Sequence, residues 1–164
     1  MTSSNHHNAN VWRGSRRPRR LASVVLGLLG LGAVLAARAA DANEVFFAHA
    51  AACTALHKTE VETLRKTWVP GKKELREEIL RHTVSGFSFV ATTYKQGLRN
   101  PQADELLKAA EEEQKALTPA ERLSKLNACA TEGAALLRDM TSVERWFIQN
   151  RSNARVERLL APKD

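Results

Sequence analysis

The residues with the greatest chemical capacity stand close together: His49-x3-Cys53-x3-His57, with Glu60 three positions further on. Imidazole, thiolate and carboxylate are ligands for zinc or copper. Residues three and four apart share one face of a helix, so His49, His57 and Glu60 form a candidate ligand or buried polar site. Two features oppose a metal at this face. Positions four and eight apart climb along the helix axis, so three of them rarely close on one ion. Cys53 also has a partner available in Cys129, the other cysteine of the chain, and a disulfide sulfur is no longer a thiolate ligand. A structural role explains the same residues: His57 as a core histidine hydrogen-bonded to Glu60, with His49 at the surface.

No C-x-x-C-H occurs, which excludes covalently attached c-type haem. No Ser/His/Asp or Cys/His set is supported by local spacing, and His82 has no signal around it. The sequence therefore implies no cofactor, no bound metal and no catalytic residue.

The elements that must position these residues are helices. Phe46, Ala50, Cys53, His57, Val61, Leu64 and Trp68 recur at steps of three and four, which predicts a helix over 43–68. Pro70-Gly71 breaks the chain. A second helix is expected over 72–98, with Gly86 inside it, where glycine costs about 1 kcal/mol against alanine and suggests close approach of a neighbouring helix. Asn100-Pro101 reads as N-cap and first position of a third helix, to Leu117. Thr118-Pro119-Ala120-Glu121 is a capping box that opens a fourth, with Leu126, Cys129, Gly133, Leu136, Leu137 and Met140 on one side. Thr141-Ser142-Val143-Glu144 starts a last helix, 142–160. No strand pattern, repeat or low-complexity linker is present.

The expected fold is all-α: a four-helix up-down bundle over 43–140, one disulfide, and an additional C-terminal amphipathic helix as an extension over 141–164. In an up-down bundle the first and fourth helices are neighbours, and helix rise places Cys53 and Cys129 within one turn of each other. A Cys53–Cys129 bridge would close a long loop, worth about 4 kcal/mol on the loop-entropy model. A fourth helix running unbroken to Ala161 would exceed about 60 Å, so the tail either folds back or projects. A chain ending near Met140 is expected to stay folded. Trp146, Phe147, Arg151 and Arg155 are the candidate interaction surface.

The N-terminus reads as an address. Residues 1–20 hold Arg13, Arg16, Arg17, Arg19 and Arg20 and no acid. An apolar run follows from Leu21 to Ala37, then small residues, the order of a secretory signal over 1–39. Cleavage is expected before Ala40 or before Asn43. The run is short for a membrane span, and an uncleaved anchor is the alternative. Ser15-Arg16-Arg17 is a weak twin-arginine pattern. Cys53 lies too far from the apolar run to be a lipid-modified cysteine.

These features predict export to the periplasm, where a paired cysteine count reads as a disulfide. Without residues 1–39, the chain carries 19 basic and 18 acidic residues. The high isoelectric point thus belongs to the leader, and nucleic acid is not an expected partner. The remaining reading is a non-enzymatic protein that works by binding another protein or a second copy of itself, structural or chaperone-like in role. Membrane contact is expected only through an uncleaved leader or a last helix lying on the surface. The alternative is a metal or small-ligand binder using His49, His57 and Glu60.

Overall fold

The computed structural model of the protein describes residues 22–162, with side chains from Ala42 onward. The basic part of the expected leader lies outside the described residues, and the rest of it is described as helical backbone alone. The chain divides into two units, 1–39 and 40–164. Among the described residues there are five helices and no strand: α1 Ala22–Thr67, α2 Lys73–Lys95, α3 Gln102–Gln114, α4 Pro119–Asp139 and α5 Ser142–Leu160. The all-α fold expected from sequence is present. No helix among the described residues is long and apolar enough to cross a membrane. The first helix is longer than its apolar stripe indicated, because the alanine-rich stretch before Asn43 continues it without a breaker.

The helix boundaries follow from local chemistry. After α1, Gly71 takes a φ of 92°, a conformation open to glycine at no steric cost. Two capping boxes start α4 and α5. The Glu121 carboxylate accepts the Thr118 N–H at 2.9 Å while the Thr118 hydroxyl accepts the Glu121 N–H. Glu144 and Thr141 repeat the arrangement, with 2.7 Å for the carboxylate bond. Each such cap contributes about 1 kcal/mol. The expected cap at Asn100 does not form. Its side chain instead accepts the Tyr94 hydroxyl at 2.5 Å, and α3 begins behind Pro101 with no side-chain cap.

The core is built around α2, which packs against both α4 and α5. One cluster joins α1, α2 and α4 through Ala50, Cys53, Leu56, Phe89, Leu126 and Cys129. A second joins α1, α2 and α5 through Val61, Ile79, Val156 and Leu160. A third joins α2 and α5 with Met140 through Val84 and Ile148. The disulfide Cys53–Cys129 lies inside the first cluster, with the two Cα atoms 5.3 Å apart.

The last helix folds back as part of the body. Its buried residues are Ile148, Ser152, Val156 and Leu160. Val143, Trp146 and Phe147 lie on the other side of the helix and face solvent. Val143 is 73 % exposed, Trp146 65 % and Phe147 51 %. α5 supplies residues to two of the three core clusters, which weighs against the expectation that a chain ending near Met140 stays folded.

Candidate functional site

His57 is 1 % exposed and makes two side-chain contacts. Its Nδ1 lies 3.0 Å from Nδ1 of His82, and its Nε2 lies 2.8 Å from the Ser85 hydroxyl. His57 comes from the C-terminal part of α1, while His82 and Ser85 lie one turn apart on α2. A bond between two imidazoles needs one ring to donate and the other to accept, so the pair must share its protons. Burial drives the His57 imidazole down to about 4, with the neighbouring His82 adding to the effect and the Cys129 backbone opposing it. Burial also lowers His82, where Glu60 and Glu78 oppose the shift and Arg81 adds to it. Both rings are neutral at neutral pH.

Hydroxyl, imidazole and a third group in a row is the order of a hydrolytic relay. The surroundings do not support that chemistry. Ser85 lies in mid-helix, where backbone N–H groups are committed to the helix and none is left for a developing oxyanion. Ser85 also faces Gly133 of α4 so closely that a Cβ there would lie 2.1 Å from the hydroxyl oxygen. The array cross-links α1 to α2 beside α4.

The histidine pair borders an open groove of about 950 Å³. Its apolar lining includes Val61, Phe87, Val90, Leu107 and Leu159. Six cations line it: Lys58, Arg65 and Lys66 from α1, and Arg151, Arg155 and Arg158 from α5, against one carboxylate, Glu62. Lys58 is paired with Glu111 at 2.7 Å. The other five have no ion-pair partner among the described residues. The guanidinium of Arg151 lies 5.0 Å from the centroid of the Phe147 ring, one turn before it on α5. On α1 the groove runs from Thr54 to Lys66, about 18 Å of helix.

The sequence-derived face His49, His57, Glu60 is not brought together as one site. His57 turns to α2. His49 stands toward α4, its Nε2 2.6 Å from Glu132 Oε2 and 3.7 Å from Cys53 Sγ. Glu60 is half-buried and makes no hydrogen bond or ion pair among the described residues; the expected His57–Glu60 bond is replaced by His57–His82. Of the proposed interaction residues, Arg151 and Arg155 line the groove, Phe147 adjoins Arg151, and Trp146 is exposed. Sequence reasoning missed His82 and Ser85, and it missed Arg65, Lys66 and Arg158 as groove residues. The arginines at steps of three and four in 151–158 were a visible signal; the partnership of His57 with His82 had none, because it joins two helices. No family model, no curated protein and no solved structure matches this chain.

Proposed function

We propose that the protein is an exported, non-enzymatic binding module of the periplasm that holds an acidic, amphipathic segment of a partner protein in the groove between α1 and α5. The observation that carries this reading is the gathering of five unpaired cations on an apolar floor, in a unit whose basic and acidic residues nearly balance as a whole. Like charges that outnumber the single carboxylate beside them, Glu62, repel one another, and an anionic occupant relieves that repulsion. The apolar lining adds a requirement that a simple ion does not meet. A helix of about three turns with carboxylates along one edge and apolar residues beneath fits the length and both chemistries, as in helix-in-groove recognition. The disulfide favours an oxidising compartment, and the basic-then-apolar leader supports export.

The test is a pair of labelled synthetic helices of about twelve residues with the same leucine positions, one with glutamates on its polar face and one with lysines. Fluorescence anisotropy should show binding of the glutamate peptide alone, weakening as salt rises. The charge reversals Arg151→Glu and Arg155→Glu together should reduce affinity at least tenfold with little change in melting temperature, since both side chains are exposed. Equal binding of the two peptides, or indifference to the reversals, would sink the proposal. A long-chain carboxylate competing at full strength would reassign the groove to a small amphiphile.

A further inference from the structure

Nearer the N-terminal end of the body, α1 carries a second arrangement, of residues that do not line the groove. His49 and Cys53 lie four residues apart on α1, and Cys129 and Glu132 lie three apart on α4. Each pair therefore occupies one face of its helix, and the two faces meet. His49 Nε2, Cys53 Sγ and a Glu132 carboxylate oxygen all lie within 4.8 Å of one another, and Cys129 Sγ is bonded to Cys53 Sγ. Imidazole, two sulfurs and a carboxylate are a complete tetrahedral donor set for zinc, with bond lengths of about 2.0–2.3 Å. At those lengths neighbouring donors stand about 3.3–3.8 Å apart. The Cys53–His49 separation of 3.7 Å is already there, the His49–Glu132 contact of 2.6 Å has to open by less than about 1 Å, and the Cys129 sulfur, outside the cluster of His49, Cys53 and Glu132, has to move off Cys53 once the bridge is reduced. The two sulfurs belong to buried residues, while His49 and Glu132 have side chains 49 % and 38 % exposed. The set thus runs from the core to the surface, and an ion can reach it from solvent.

We infer that reduction of the Cys53–Cys129 disulfide converts this cluster into a zinc site with His49, Cys53, Cys129 and Glu132 as ligands, so that bridge and metal are alternative states of one place. The first step is thiol–disulfide exchange with a dithiol reductant. The protein disulfide takes up two electrons and two protons, and the reductant becomes a disulfide. In the second step Zn²⁺ binds as the two thiols release their protons to solvent, with His49 neutral and Glu132 ionised. No electron moves in that step. In the oxidised protein the sulfurs are spent on each other, and His49 with Glu132 alone makes a poor site. The zinc would take over from the disulfide the joining of α1 to α4.

The experiment uses the purified protein, oxidised or reduced by a phosphine without oxygen, with cobalt(II) as the spectroscopic probe and zinc as competitor. The reduced protein should take one cobalt per chain, with sulfur-to-metal charge transfer and the strong visible bands of a tetrahedral ion, displaced by zinc. The oxidised protein should show neither. His49→Ala and Glu132→Gln should each weaken zinc binding at least about tenfold and alter the visible bands. Zinc should raise the melting temperature of the reduced protein and leave the oxidised one unmoved. Circular dichroism monitors folding, and His49→Gln stands in if the alanine variant unfolds. Binding of equal strength in both ligand variants, cobalt without thiolate bands, or a reduced chain that stays unfolded with zinc present overturns the inference.

Discussion

Gly133 shows how finely the buried polar array is fitted. A methyl at that position would meet the Ser85 hydroxyl oxygen at 2.1 Å and the Phe89 ring at 3.2 Å. Ser85 would have to swing away from His57, or α4 would have to leave α2. Gly133→Ala should therefore cost about 1–3 kcal/mol, although alanine is the better helix former. Gly86 behaves in the opposite way. A methyl there meets His57 Cβ at 3.6 Å, an ordinary contact. Gly86→Ala should be neutral or stabilise by up to about 1 kcal/mol. Urea unfolding of the two variants measures both, and a loss at Gly86 with none at Gly133 would contradict the packing described. The sequence marks both residues as interior glycines on helical stripes. The close approach expected at Gly86 is found instead at Gly133, because it depends on where Ser85 comes from, and Ser85 lies forty-eight residues away on α2.

At the scale of the element, α5 is the helix whose role was least legible. Its start was plain, since Thr141 and Glu144 form a capping box in the sequence and in the fold. Its phase was not, because apolar residues occupy two nearly opposite faces of the helix, one through Val143 and Phe147 and one through Ile148, Val156 and Leu160. Burial went to the second, which meets Ile79 and Val84 of α2. Burying Ile148, Val156 and Leu160 stabilises the body by about 1.5–3 kcal/mol each. A chain ending at Met140 should therefore lose its cooperative thermal transition or melt far lower, as seen by circular dichroism. Trp146→Ala and Phe147→Ala should change stability by less than about 1 kcal/mol, because both rings are more than half exposed. The same phase sets Arg151, Arg155 and Arg158 against α1, so the position of the groove could not be read until the burial of α5 was known.

At the scale of the whole molecule, the histidine pair ties stability to pH. The unfolded chain has both imidazoles at the ordinary value of 6.5, while burial, with His82 beside it, holds His57 at about 4 in the folded state. Above 6.5 neither state binds the protons, and there is no loss. As pH falls below 6.5 the unfolded chain takes up protons that the folded one refuses, so stability declines until about 4, where His57 also charges in the fold. The loss from His57 alone is about 3 kcal/mol. Urea midpoints between pH 7.5 and 4 should fall accordingly, and His57→Gln should flatten the curve. Glu144 acts in another window. The Thr141 backbone N–H and then Lys95 hold its carboxyl down at about 2, so its contribution is present above the ordinary 4.5 and is lost only as pH drops toward 2.

The position of the bridge has a mechanical consequence. Cys53 and Cys129 enclose α2 and α3 in a covalent ring, and α5 hangs outside it. While the bridge stands, α1 and α4 cannot part where it joins them and α2 and α3 are confined to the loop it closes, but α5 can peel away at Thr141 without straining any covalent closure. The molecule is thus a frame with one jaw. The jaw bears Arg151, Arg155 and Arg158, so an occupant that grips those arginines clamps the least tethered helix, and an empty groove leaves the Met140–Thr141 junction as the place where the body first opens to a protease.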